Sequence, residues 1–379
     1  MRMPQLTEQR PEKIHALTSL RFFAALFVVL HHTTWTFFPS FSRQSILGRY
    51  IEIGNVSVSF FFFLSGYILA VVYLRRGGPV QTRDFLRARF ARVYPLFLLT
   101  LVLDTPVLIS ERVATYGVKA AWLKTAVTFT GNLVMLQAWV GRLRGIDNPN
   151  WSLSAETFFY LSFPILGVAL WKLRGARIWV TAALLYVGGQ IVVFLAAPHV
   201  GDTYIYFLPL FHVPTFALGI VLARWQTLAQ GSVNAHRSKD SGKTLVATLA
   251  LICLCIVVYW SPHIPEWHLF DGVLAPVFGC LIWAFSHSQW PPAKFLSASW
   301  MVVLGEASFG LYLFHLPVFH LFLAMGWTHS SFMFPVYLGI SIGLSVLSFY
   351  YFETPLRRWI LKRRHTHVKE TMEMASDAQ

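Results

Sequence analysis

The sequence predicts an all-α, polytopic membrane helix bundle of about ten transmembrane helices. Apolar residues make up 55% of the chain, aromatic residues 16% and charged residues only 13%, a composition that a soluble domain could not keep off its surface. Apolar runs long enough to span a bilayer recur from residue 17 to residue 352. The basic residues lie in short clusters between those runs, the pattern by which loops fix orientation. A net charge of +14 would otherwise suggest nucleic acid, but no polar domain is present to carry a binding face, so no nucleic-acid partner is expected.

The N-terminus is polar and basic and leads into an apolar run at 17–38 that has no small-residue cleavage site, so this is an uncleaved first span. Further apolar segments lie at 54–74, 93–110, 120–140, 155–173, 178–197, 204–223, 245–261, 269–286, 302–325 and 332–352. The segment 120–140 differs from the others. It holds Lys124, Thr128, Thr130, Asn132 and Gln137, the pattern of a stretch that lies in the interface or re-enters. If it does not span, both termini and most lysines and arginines face the cytoplasm. If it does, every basic cluster from Lys172 onward flips outward, against the positive-inside rule. The predicted protein is therefore an integral multi-pass protein of the plasma (inner) membrane with about ten spans and cytoplasmic N- and C-termini. Residues 1–364 form one membrane domain, 365–379 a polar cytoplasmic tail, and 224–243 a flexible cytoplasmic linker. Cys253, Cys255 and Cys280 sit in apolar runs and read as reduced core residues.

Polar chemistry enters this bundle at several places. Arg21 and His32 share one stripe of the first span, within about 20° of each other and roughly 16 Å apart along the axis. An ionisable residue inside a span costs roughly 2.5 to 3.5 kcal/mol, so two on one stripe point to a polar interior that uses them. After the second span, Arg83, Arg87, Arg89 and Arg92 precede Tyr94 and Pro95, which predicts a short basic helix ending where the third span begins. Headgroup anchoring and the bidentate grip of an anionic ligand by Arg89 and Arg92 account for these arginines equally well. In NPNWSLSAETFFYLSFP, Ser152 can cap a helix whose first turn holds Glu156, with Tyr160 one turn on along the same face. A well-started helix explains this fragment by itself, but a glutamate just inside the membrane beside a histidine-bearing helix also suits a site. In LGEASFGLYLFHLPV, Ser308, Tyr312 and His315 follow i, i+4, i+7 spacing on one face, with a kink expected at Pro317. Phe352-Glu353-Thr354-Pro355 closes the last span, and Glu353 is expected to pair with nearby arginines.

Taken in order, these motifs resemble those of the acyltransferase 3 family of integral membrane O-acyltransferases. The first span is similar to the family's arginine, ten residues, histidine pattern on Arg21 and His32. SVSFFFFLSGY is similar to Phe-Phe-x-x-Ser-Gly-Phe, and FLRARFARVYP to Arg-x-x-Arg-x-x-Pro. WSLSAETFFYL is similar to Trp-Ser-Leu-x-x-Glu-x-x-Phe-Tyr, and GLYLFH to Tyr-Leu-Trp-His. Ser59 stands where many members have aspartate, and Phe314 replaces the usual tryptophan. Some members add an extracytoplasmic hydrolase-like domain, which is not expected here.

The resemblance implies an acyltransferase that moves groups other than amino-acyl groups. It would carry an acyl group, most often acetyl, from cytoplasmic acyl-CoA to a hydroxyl of an extracytoplasmic or lipid-linked carbohydrate, as in polysaccharide modification. The co-substrate would be acyl-CoA, acetyl-CoA in the first instance, and no metal is expected. Membrane lipid, the glycan or glycolipid acceptor and polysaccharide-synthesis proteins would be partners. In that scheme Arg89 and Arg92 hold the donor's phosphates, and His32 is the general base. Glu156 orients it or the acceptor, and Arg21 holds the donor or stabilises negative charge on the thioester oxygen. Trp151, Tyr160, Tyr312 and His315 are expected on the acceptor side, where tryptophans suit stacking on sugar rings, although interfacial belts explain tryptophans as well. The rival class is a multi-pass transporter or flippase of a glycan or lipid-linked substrate, in which buried Arg, His and Glu would form a substrate or proton path.

Overall fold

The computed structural model describes residues 15–75, 80–230, 240–264, 269, 272–286 and 291–362. The tail at 365–379 lies outside the described residues, as does 231–239 of the expected flexible linker; the linker's two ends, 224–230 and 240–243, are helical instead, because they continue the flanking helices. The described residues are predominantly helical, with no strands among them. In order they form α1 (His15–Phe37), α2 (Ile46–Glu52), α3 (Ser57–Tyr73), α4 (Thr82–Tyr116), α5 (Val118–Leu133), α6 (Trp151–Trp171) and α7 (Ala176–Val200). There follow α8 (Asp202–Phe207), α9 (Pro209–Gln230), α10 (Asp240–Trp260), α11 (Ala275–Ser286), α12 (Pro291–Leu296), α13 (Ser299–Ala324) and α14 (Met333–Ser348).

Among the described residues, 8 helices are long and apolar enough to cross a membrane. Two of the expected spans fall outside that set. Of the segment 269–286, residues 275–286 form α11, which has 12 residues, and 204–223 lies on α8 and α9. Helix α9 is long, but it buries His212, Thr215, Arg224 and Gln226 against the protein and so is less apolar than a lipid-facing span. The doubtful segment 120–140 is helical only as far as Leu133, within the 16-residue α5, about 24 Å long and short of a ~30 Å hydrocarbon core, and turns follow at 134–140. It lies along α4.

The expected short basic helix is not separate from the third span. Arg83 to Pro95 belong to one 35-residue helix, α4, that runs on through Pro95 and Pro106. Proline is tolerated inside membrane helices because neighbouring groups re-satisfy the freed carbonyls. At about 52 Å, α4 is longer than the bilayer core, and its first third holds Arg83, Arg87, Arg89 and Arg92. The cysteines are not in the core: Cys253, Cys255 and Cys280 are exposed on helix surfaces, where apolar runs turn outward to lipid.

Packing centres on two helix pairs, α3 with α9 and α1 with α13, while α14 covers α13 and α6 covers α9. Backbones nearly touch at the first pair. A Cβ on Gly66 would lie 2.0 Å from the Phe216 carbonyl oxygen, and one on Gly219 would lie 2.1 Å from that of Phe63. Small residues allow this approach, which in lipid replaces the hydrophobic drive that would join the helices in water.

The charge bias of the sequence predicts which loops a membrane-impermeant thiol reagent reaches. Gly145 takes φ 127°, a conformation that strains any cysteine placed there, so the outer probe belongs at the exposed Arg142. In a chain freed of its own cysteines, Arg142→Cys is expected to react from outside and Ser238→Cys only after the membrane is opened. Labelling at position 238 from outside would invert the second half of the chain.

Candidate active site

A cavity of about 820 Å³, counting the space open to solvent, lies between α1, α3, α4, α6 and α13. Arg21 of α1, Arg89 and Arg92 of α4, and Glu156 and Tyr160 of α6 line it, as do Ser308 and Tyr312 of α13. Stretches from five helices thus meet on one surface. Ser65 of α3 donates a hydrogen bond to Glu156 Oε1 at 3.1 Å.

The charges acting on Arg21 come from Arg92, Glu306 and Glu156, with Tyr160 beside them. Glu306 was not among the expected site residues, although an acid within an apolar span is itself a signal. Arg89 donates to Tyr73 Oη at 3.0 Å and lies over the Tyr73 ring at 5.5 Å, while its Nε finds no protein partner. Arg357, in the helical turns 354–362 that continue from α14, lies within electrostatic reach of Arg92, Arg89 and Glu306, and Glu353 within reach of Arg92. Glu353 accepts a hydrogen bond from Ser348 at 3.4 Å. An arginine-rich end of the site results, drawn from α4 and from the helical turns at 354–362. Like charges held this close favour an anion among them.

The histidines lie one layer beyond Tyr312 and do not line the cavity. His32 Nδ1 is 3.0 Å from His315 Nε2, with the rings stacked at 5.2 Å and 15°. His315 Nδ1 lies 2.7 Å from the Tyr312 carbonyl, which can only accept, so the proton sits on that nitrogen. In a neutral His315 the Nε2 is then bare and accepts from His32 Nδ1–H. His32 Nε2 is left with a free lone pair, the tautomer a general base needs. Tyr337 donates to the His315 carbonyl at 3.0 Å and so ties α14 to this turn of α13. His31 turns away: its Nδ1 contacts the Ile51 carbonyl at 3.2 Å.

Two expected features sit differently. Ser152 does not cap α6, which starts at Trp151 without a side-chain cap. Instead its hydroxyl donates to the Pro149 carbonyl at 3.1 Å and meets Tyr312 Oη at 2.7 Å. Trp151 is buried against Phe62, Tyr206, Phe207 and His212, away from the cavity lining. Among the described residues, no group of 3 or more His, Cys, Asp or Glu side chains is placed to hold a metal ion.

The family described as "Acyltransferase domain" matches residues 14–352, nearly the whole chain and every element of this cavity. The chain belongs to this family. This acyltransferase-family chain is similar to the acyltransferase MdmB of Streptomyces mycarofaciens, 32% identical over 230 residues that cover 56% of the chain and 58% of the relative. It is also similar to the O-acetyltransferase OatA of Staphylococcus aureus, 23% identical over 381 residues that cover 92% of the chain and 58% of the relative. A third relative, "Protein 2 in picA locus" of Rhizobium radiobacter, is 35% identical over 100 residues, 26% of the chain and 47% of the relative. The chain thus spans about 58% of the length of the first two. No solved structure matches it.

Proposed function

We propose that this membrane acyltransferase carries an acyl group, acetyl in the first instance, from cytoplasmic acyl-CoA to a hydroxyl of an extracytoplasmic or lipid-linked carbohydrate. The observation that carries the reading is one cavity with an arginine-rich end and a hydroxyl-lined end, backed by a histidine whose tautomer is set for base catalysis. Arg89 and Arg92 suit the phosphates of the donor, and the positive-inside rule puts their end of α4 in the cytoplasm. Along α13 the order Glu306, Tyr312, His315 leads away from that end, so the base lies toward the opposite side.

The roles follow from the chemistry. A hydroxyl is a weak nucleophile until its proton leaves, and His32 Nε2 takes that proton as the oxygen bonds to the thioester carbon. Negative charge collects on the thioester oxygen, and Arg21, whose side chain lines the cavity, supplies the positive charge that stabilises it. The C–S bond then breaks, and the sulfur takes the proton back from His32. His315 acts through His32 as a positioning residue. Glu156, held by Ser65, keeps Arg21 oriented across the cavity.

Sealed inside-out vesicles are the test. With labelled acetyl-CoA added to the bath, label is expected only on acceptor trapped in the lumen. Labelling of an impermeant acceptor offered with the donor in the bath would overturn the transmembrane direction. Movement of a glycan without gain of acyl mass would instead favour a transporter or flippase, which has no need of a tautomer set by the His32–His315 contact.

A further inference from the structure

Orphaned polar groups collect in the segment between α5 and α6, on the far side of Tyr312 from the arginines. Asp147 is 1% exposed, and both its carboxylate oxygens lack a protein partner. Asn150, also 1% exposed, has neither side-chain atom paired, and Gln137, at 2%, leaves its Oε1 unpaired. The Asn150 amide lies close enough to the Asp147 carboxylate to influence it, yet the two do not reach hydrogen-bond geometry. Buried polar groups in native proteins are nearly always satisfied, so a set of unsatisfied ones in one loop calls for a ligand or ordered water.

This loop is not loose. Asp147 N–H donates to Asp104 Oδ2 at 2.8 Å, and Asp104 Oδ1 meets His320 Nδ1 at 2.5 Å. Gln137 Nε2 donates to the Asn150 carbonyl at 2.9 Å, Asn132 donates to that of Leu143 at 2.7 Å, and Tyr312 Oη donates to that of Pro149 at 2.8 Å. The backbone anchors are complete while the side chains stay open. Asp147 also holds φ 43°, left-handed backbone that asparagine and aspartate bear better than other residues. Local strain of this kind is kept where surrounding structure over-determines it, most often at functional sites. Burial and the Asp104 charge push the Asp147 carboxyl well above the usual carboxylate range.

We infer that Asp147, Asn150 and the Gln137 oxygen form a subsite for the hydroxyl groups of a sugar ring. The inference rests on the acyl-transfer reading above and names the part of the chain that holds the acceptor. A carboxyl and a carboxamide offer the donors and acceptors that neighbouring ring hydroxyls require. The anchor through Pro149 and Tyr312 sets this subsite one hydrogen bond from the cavity wall and one helical turn from His315. An acceptor held there presents a further hydroxyl toward His32 while the donor lies on the arginine side.

The experiment uses the full-length protein in detergent, labelled acetyl-CoA, and as acceptor the glycan and glycolipid extract of cells lacking the gene. Asp147→Asn keeps the backbone preference and Asn150→Ala removes the amide. Each is expected to raise the KM for extract about tenfold or more, with the KM for acetyl-CoA, the donor-only hydrolysis rate and the melting midpoint unchanged within error. An unchanged acceptor KM would overturn the subsite and, with a shifted melting midpoint, would assign these atoms to trapped water. A parallel loss of donor KM, hydrolysis and melting midpoint would make the loop merely structural, which also overturns it. Wild-type protein that hydrolyses donor but labels nothing in the extract would refute the carbohydrate reading itself, a different outcome from wild type and variants that label equally.

Discussion

Acyl transfer is expected to fall about 10²- to 10⁴-fold in His32→Ala, the range that general base catalysis supplies, while the protein still accumulates in the membrane. His32 is half-buried, so its truncation opens no sealed apolar core. The donor's affinity is expected to stay, because the arginine end of the cavity does not touch this ring. Two companions make the result specific. His31→Ala is expected to be mild, since His31 contacts the Ile51 carbonyl and points away from His315. His315→Gln is expected to lower kcat about tenfold or more with little change in either KM. It disturbs the acceptor that keeps the proton on His32 Nδ1, and so misdirects the tautomer without removing the base. The check is steady-state kinetics on purified protein. Full activity in His32→Ala would remove the base from the scheme, and full activity in His315→Gln would make the His32–His315 contact packing alone.

The second large effect concerns the donor. Arg89→Ala and Arg92→Ala are each expected to weaken acyl-CoA binding about 10- to 100-fold, because a charge-assisted hydrogen bond to phosphate contributes about 1.5–3 kcal/mol. Both line the cavity, and the Nε of Arg89 is buried without a partner, ready for an anion. Acceptor KM should hold. Raising salt should weaken donor binding in the wild type and do less in the double variant, where those charges are already gone. Titration with CoA by calorimetry reads both effects, and an unchanged affinity in the double variant would return these arginines to membrane anchoring. Arg357 shares the electrostatic field of Arg89 and Arg92, so its loss is expected to act in the same direction.

Some of this was legible in the chain alone because it depends on neighbours in sequence. Hydropathy marks the spans one at a time, since each must satisfy its own backbone in lipid. Helical periodicity puts Arg21 and His32 on one stripe and Arg89 and Arg92 on one face, and the structure keeps them so within α1 and α4. Sequence also determined the family's motif order, which pointed to Glu156, Tyr160 and Tyr312, all on the cavity wall.

Other features depended on which helices pack together, and local pattern carries no such information. His32 meets His315 across 283 positions, a contact made by the pairing of α1 with α13. The same pairing brings Glu306 to Arg21, and the helical turns at 354–362 return Arg357 to α4. Trp151, which its type and place suggested for a sugar, is taken up by rings from α3 and α8. The three cysteines turned outward because in a bilayer an apolar run has two apolar environments to choose from. Composition cannot tell lipid from protein core, and tertiary packing makes that choice. Asp147 reads in the sequence as an ordinary loop aspartate; its burial without a partner arises when Asp104, Asn150 and Tyr312 close around it from three separate helices and turns.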